Sequence, residues 1–82
     1  MDIEQRAKRS KSLLENEWFQ ETIKDLRDTQ MRTFADSSAQ EVEKREDAHA
    51  ILRALTAIER QLQADVDALA LVQRKGKHRG ND

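Results

Sequence analysis

The second half of the chain repeats apolar residues at alternating intervals of three and four, the spacing of a helix that packs along one side. One such line comprises Ala48, Ile51, Leu55, Ile58, Leu62, Leu69 and Val72. A second line beside it comprises Ala50, Ala54, Ala57, Gln61, Ala64, Ala68 and Leu71. Two adjoining lines give this helix more apolar surface than one partner helix covers. We therefore predict that one line packs on the rest of the chain and that the other packs on a second subunit.

A charged residue, Asp65, interrupts the first line. At such a position a polar residue more often lies at a hydrated edge, or fixes the register of two helices, than binds a ligand. We therefore interpret Asp65 as a structural residue.

The first half of the chain carries a less regular apolar stripe, formed by Leu14, Trp18, Phe19, Ile23, Leu26 and Phe34. Proline is absent, and both glycines fall in the last seven residues. Nothing therefore opposes a helix between residues 1 and 75. Asn16 is a favourable N-cap residue, and it predicts either the start of a new helix or a bend.

A short polar segment separates the two halves. Residues 34–38 read FADSS, where Asp and Ser side chains compete with a helix for backbone hydrogen bonds. Ser38 and Glu41 have the spacing of a capping box. This pattern predicts a first helical segment over about residues 2–35, a turn, and a second helix over about residues 39–74 that Gly76 caps.

These elements predict an all-α fold, an antiparallel helical hairpin that assembles into a helical bundle. We expect one hairpin domain over residues 1–75 and a flexible basic tail over residues 76–82. The composition supports assembly, because 37% of the residues are hydrophobic but ten of these are alanine, and 38% are charged. A monomer of this composition would be only marginally stable.

The net charge of −1 hides an uneven distribution. Residues 1–12 sum to +2, residues 13–73 to −6 and residues 74–82 to +3. Because an antiparallel hairpin brings its two ends together, we predict one basic pole, formed by Arg6, Lys8, Arg9, Lys11, Arg74, Lys75, Lys77 and Arg79. Such a pole binds the phosphates of a nucleic acid, contacts an acidic protein or is simply solvated. No aromatic residue for base stacking lies near it.

Residues for catalysis or for metal binding are scarce. The chain has no cysteine, its histidine His49 has no second histidine at a metal-binding spacing, and His78 lies in the tail, so we interpret both as surface residues. The acidic pairs Asp65 with Asp67 and Glu41 with Glu43 are two residues apart, so each pair points to different faces of a helix. We therefore expect no enzyme activity, no cofactor and no small-molecule substrate.

The longest uninterrupted apolar run, Ala68 to Leu71, has four residues. A membrane-spanning helix needs about 20 apolar residues and a signal-peptide core needs roughly 7 to 15. We therefore expect a soluble intracellular protein that neither enters a membrane nor is exported by a signal peptide.

Several stretches of the chain resemble a known group of proteins. These are RAKRSKSLLENEWFQETIKDLRDTQ, a polar turn, KREDAHAILRALTAIERQLQ and the basic QRKGK, which together cover about residues 6–77. They resemble short, uncharacterised helical-hairpin proteins that tailed bacteriophages and prophages encode in gene clusters for head assembly and DNA packaging. The more specific markers are LLENEWF and the Arg45-Glu46 start of the second apolar run. The resemblance implies a structural role in the virion or in DNA packaging, and small terminase subunits, which oligomerise through helical hairpins, are a related comparison.

The first hypothesis is therefore a non-catalytic phage assembly or packaging protein that acts through helix-mediated oligomerisation or docking. Its partners are further copies of the chain or another phage structural protein. One alternative is a small nucleic-acid-binding regulator that uses the basic pole. Another is a phage-encoded inhibitor whose acidic middle docks on a basic surface of a host protein.

Overall fold

The computed structural model describes the backbone of residues 1–80 and the side chains of residues 1–76. Helix α1 spans Ile3–Glu15, α2 spans Glu17–Asp36 and α3 spans Val42–Gly80. No strand occurs within the described residues. The predicted all-α class is therefore confirmed, and α1 and α2 together form the first predicted helical segment. The molecule is elongated, with dimensions of 64 × 23 × 20 Å.

The first segment breaks at Asn16, as the N-cap preference of that residue indicates. Asn16 has an extended backbone and is both the C-cap of α1 and the N-cap of α2. Its side-chain oxygen accepts a hydrogen bond of 2.9 Å from the amide of Phe19. Of the two predicted outcomes, the start of a new helix is therefore the one observed.

The predicted turn lies between α2 and α3, and α3 starts three residues later than expected. The amide of Glu41 donates to the carbonyl oxygen of Ser38 over 3.0 Å, and the Glu41 carboxylate accepts from the Ser38 amide over 2.9 Å. The Arg45 guanidinium also donates to the Ser38 carbonyl. The glutamate half of the expected capping box thus exists, but it closes a turn and the helix begins only at Val42.

The C-terminal end of α3 differs from the prediction. Helix α3 continues through Gly76 to Gly80, and no described glycine has the positive φ of a left-handed cap. Gly76 is therefore not a C-cap, and residues 76–80 of the predicted tail are helical. The reason is energetic, since one glycine costs a helix interior only about 1 kcal/mol. Residues 81–82 lie outside the described residues.

Helices α1 and α2 both pack on α3. Arg27 of α2 pairs with Glu59, whereas Ser10 of α1 bonds to Asp65. The earlier residue of the first segment thus meets the later residue of α3. The two halves therefore run antiparallel, as the predicted hairpin requires.

The side of α3 that contacts α1 and α2, here called the inner face, follows a four-three spacing. Its residues are all buried or half-buried, and they are Arg45, Ala48, Leu52, Leu55, Glu59, Leu62, Val66 and Leu69. The predicted line supplied four of these residues, namely Ala48, Leu55, Leu62 and Leu69.

The other members of that line, Ile51, Ile58 and Val72, are 40%, 46% and 51% exposed. Leu52 and Val66, which lie on the other side of the line formed by Ala48, Leu55, Leu62 and Leu69, face α1 and α2 in their place. Large apolar residues thus lie on both sides of the Ala48–Leu69 line. Helices α1 and α2 form a single layer, which covers the side of Leu52 and Val66 and leaves Ile51, Ile58 and Val72 exposed.

The first segment contributes fewer apolar residues to the core than its stripe predicted. Ile23 is buried, and Leu14 and Phe19 are half-buried, whereas Trp18 is 74% exposed. Towards its C-terminal end α2 turns polar residues to α3, and they are the half-buried Arg27, Gln30 and Thr33. Leu26 and Phe34 consequently lie to the sides and remain exposed.

Candidate protein-interaction surface

Helix α3 carries an apolar surface outside the inner face that α1 and α2 leave uncovered, here called the outer stripe. Its residues are Ala50, Ile51, Ala54, Ala57, Ile58, Gln61, Ala64, Ala68, Leu71 and Val72. All of them are exposed except the half-buried Ala68. The stripe therefore contains the whole second predicted line together with the three residues of the first line that the hairpin leaves outside.

The size of the exposed side chains distinguishes this surface from ordinary scattered exposure. Ile51, Ile58, Leu71 and Val72 are each between 40% and 51% exposed. They are spread over about six turns of one helix with alanines between them. Contiguous apolar surface of this kind marks an interaction site more often than single exposed residues do.

A groove next to the outer stripe extends the exposed apolar surface towards α2. It has a volume of about 1040 Å³, and its α2 wall consists of Met31, Phe34 and Ala35. The α3 wall includes Arg53 and Arg60 and reaches the stripe through its alanines. The groove is only partly enclosed, and its lining combines apolar side chains with the basic Arg53 and Arg60.

A polar contact holds α1 against the last third of α3. The Ser10 hydroxyl is fully buried and donates to Asp65 over 2.7 Å, and Gln61 donates to the other carboxylate oxygen over 3.0 Å. The Ser10 hydrogen bond holds the pKa of Asp65 below its ordinary value, although burial acts in the opposite direction. The charges of Arg6 and Arg9 lower the same pKa further. This arrangement agrees with the interpretation of Asp65 as a residue that fixes the register of two helices.

The basic residues of α1 are partly engaged within the chain. Lys8 pairs with Glu4 over 3.1 Å, and Lys11 approaches Glu15 at 4.0 Å. Arg6 and Arg9 lie close enough to Asp65 to act on its pKa. The antiparallel packing thus places the N-terminal basic residues beside the C-terminal third of α3.

The C-terminal basic residues continue in the same direction along α3. Arg74 and Lys75 are exposed, whereas the side chains of Lys77 and Arg79 lie outside the described residues. The structure therefore places Arg74 and Lys75 at the same end of the molecule as the basic residues of α1.

The residues with possible metal or catalytic chemistry do not converge. His49 lies exposed on the wall of the groove, and the side chain of His78 is outside the described residues. Within the described part of the chain, no group of three or more His, Asp or Glu side chains has the geometry to hold a metal ion. In the same part, no helix combines the length and the apolar character needed to cross a membrane.

The sequence analysis did not predict two contacts that position the helices. One is the Arg27–Glu59 ion pair, whose side chains are 33% and 41% exposed. The other is the Ser10–Asp65 bond. Ser10 has a signal in the sequence, because Ala7, Ser10 and Leu14 follow the three-four spacing of a packed helix side.

Comparison with known proteins adds no relative to this description. Protein-family models, curated proteins and solved structures give no match to the chain. The candidate surface is therefore defined by its residues and their exposure alone.

Proposed function

We propose that the chain is a non-catalytic assembly protein of a tailed-phage particle or packaging machine, and that it acts through helix-mediated self-association. One observation carries the proposal. Within the described residues, twelve large apolar side chains are exposed, whereas only Ile23, Leu55 and Leu62 are buried. A chain with so small a core gains most of its apolar burial by binding another protein surface.

The phage setting of the proposal comes from the sequence. The stretch LLENEWF spans the helix break at Asn16, and Arg45 fixes the turn before the second apolar run. The markers of the resemblance to phage hairpin proteins thus lie at the two places where the hairpin acquires its shape.

The first test is the native mass by light scattering at low and at high salt, with and without duplex DNA. We expect a discrete oligomer that persists at high salt, because apolar burial is not screened by ions whereas phosphate contacts are. A monomer at every salt concentration would overturn the proposal. A change of mass that needs DNA and disappears at high salt would instead indicate the nucleic-acid-binding regulator.

Variants locate the self-associating surface. Ala54→Glu places a charge in the outer stripe and should reduce the mass to that of a monomer, with helicity checked by circular dichroism. Ala70→Glu is the matched control, since Ala70 is an exposed alanine of the same helix outside the stripe. Replacement of Arg74, Lys75, Lys77 and Arg79 by glutamine should weaken the oligomer less than Ala54→Glu does, because the apolar contact remains.

The assembly role is tested in particles of the phage or prophage that carries the gene. Mass spectrometry of purified heads and head precursors should detect the chain in at least one of them. Its absence from both would contradict the assembly role while leaving self-association in place.

A further inference from the structure

The positions of the outer stripe are arranged symmetrically about one residue of the sequence. It extends from Ala50 to Val72, about 33 Å at 1.5 Å per residue, and its midpoint is Gln61. An antiparallel copy turned about Gln61 would place each stripe residue opposite another stripe residue or its immediate neighbour. A stripe that matches its own reverse fits a second copy of the same helix.

The geometry points to an antiparallel α3–α3 pair between two copies of this chain, related by a two-fold axis at Gln61. This inference rests on the proposed function and names its partner and register. It places Ala54 opposite the partner's Ala68 and Ile51 opposite the partner's Leu71. Nearer the axis Ile58 lies opposite the partner's Ala64 and the two Gln61 residues lie opposite each other, so no two large apolar side chains meet where the helices come closest.

Charge favours the antiparallel direction over the parallel one. Residues 41–47 carry four acidic and two basic side chains, whereas residues 74–79 carry four basic side chains and no acidic one. An antiparallel pair brings the acidic start of each α3 beside the basic end of the other, with Asp47 opposite the partner's Lys75. A parallel pair would set the two basic ends against each other.

The hairpin leaves this pairing sterically open. Helices α1 and α2 cover the inner face, and the stripe residues other than the half-buried Ala68 are exposed, so both copies present the stripe without unfolding. Asp47 and Lys75 are exposed and thus accessible to a partner. The resulting assembly has the two α3 helices in the middle and an α1–α2 segment on each outer side.

Disulfide trapping tests the register, and the chain suits it because it contains no cysteine. Ala54→Cys and Ala68→Cys are prepared separately, one with a longer tag, and are then mixed and oxidised. We expect a disulfide-linked heterodimer in the mixture and little linkage in either variant alone, since bridged Cα atoms lie about 4.4–6.8 Å apart. Linkage in each variant alone would reveal a parallel pair and overturn the inference.

The wild-type mass separates failure of this inference from failure of the proposed function. An oligomer without the heterodimeric link would overturn the register but leave self-association standing. A monomeric wild type would overturn both.

A charge exchange gives a second, independent readout. Asp47→Lys alone or Lys75→Asp alone should raise the Kd of the dimer roughly tenfold. The reason is that the two-fold axis repeats the Asp47–Lys75 contact, so each substitution creates two contacts between like charges. The double variant should return to within about threefold of the wild type. A double variant no tighter than the single ones would contradict the antiparallel register.

Discussion

The inner face and the outer stripe of α3 have similar apolar side chains but different surroundings. Leu55 and Leu62 on the inner face are 5% and 8% exposed, whereas Ile58 and Leu71 on the outer stripe are both 46% exposed. Full burial of one such side chain contributes about 1.5–3 kcal/mol. The inner face has already gained this free energy in the hairpin, and the outer stripe gains it only in a complex. One helix thus carries one covered and one uncovered apolar surface.

The two surfaces also differ in how they specify their partner. Two long-range polar contacts, Arg27 with Glu59 on the inner face and Ser10 with Asp65 at its edge, hold α1 and α2 in one register. No described buried side-chain polar atom lacks a hydrogen bond. The outer stripe has one polar residue, Gln61, at its middle. In the proposed pair, the register would therefore depend on side-chain size and on the charges at the ends of α3.

The largest effect is expected from a charge on the inner face. Leu55→Asp places an unpaired carboxylate at a site that is 5% exposed, which costs several kcal/mol. The total stability of a chain of this length is about 4–12 kcal/mol. We expect circular dichroism at 25 °C to show a large loss of helix.

The matched control is Gln63→Asp, which introduces the same side chain two turns along α3 at an exposed position. Its cost should be much smaller than that of Leu55→Asp, and it combines helix propensity with loss of the exposed Gln63–Asp67 hydrogen bond and repulsion between the two carboxylates. If Leu55→Asp kept the full helical signal, the assignment of Leu55 to the inner face would be wrong.

A smaller effect is expected from the polar contact of the inner face. Ser10→Ala removes the hydroxyl that donates to Asp65 and leaves the carboxylate with a poorer set of partners. The midpoint of thermal unfolding should fall by roughly 5 °C. The Ser10→Ala/Asp65→Leu double variant should recover much of this loss, because an apolar pair replaces a polar one. A double variant less stable than Ser10→Ala would show that Asp65 acts through contacts other than Ser10.

The local features of the fold were predictable from short stretches of sequence. Asn16 caps α2 through the amide three residues later, and Glu41 reaches back to Ser38, so each signal and its partner lie within four residues. The end of α3 was not predictable in the same way. Gly76 weakens a helix only slightly, and the chain after it offers no stronger stop.

Which side of α3 faces α1 and α2 could not be predicted from the spacing of its own residues. Residues on both sides of the Leu55–Leu62 line are apolar, so periodicity alone does not decide whether Leu52 or Ile51 turns inward. The Ser10–Asp65 contact joins residues 55 apart in sequence. Spacing in α1 marks Ser10 as a residue of the packed side, but it does not name the partner.

The smallest effect is expected from acid, which should lower the stability of the hairpin through Glu41 at the turn before α3. Hydrogen bonds from Lys44 and from the Ser38 amide lower the pKa of Glu41, at the start of α3, from 4.5 to about 2. Because the folded state holds this proton less tightly than the unfolded state, the stabilisation is complete above pH 4.5 and is lost as the pH falls towards 2. The lowered pKa of Asp65 adds a loss in the same direction below its ordinary value of 3.8. The free energy of unfolding, measured in urea, should therefore decline less for Glu41→Gln than for the wild type between pH 5 and about pH 2.5. The outer stripe contains no titratable side chain. Identical declines for both proteins would mean that Glu41 does not help to hold the turn in solution.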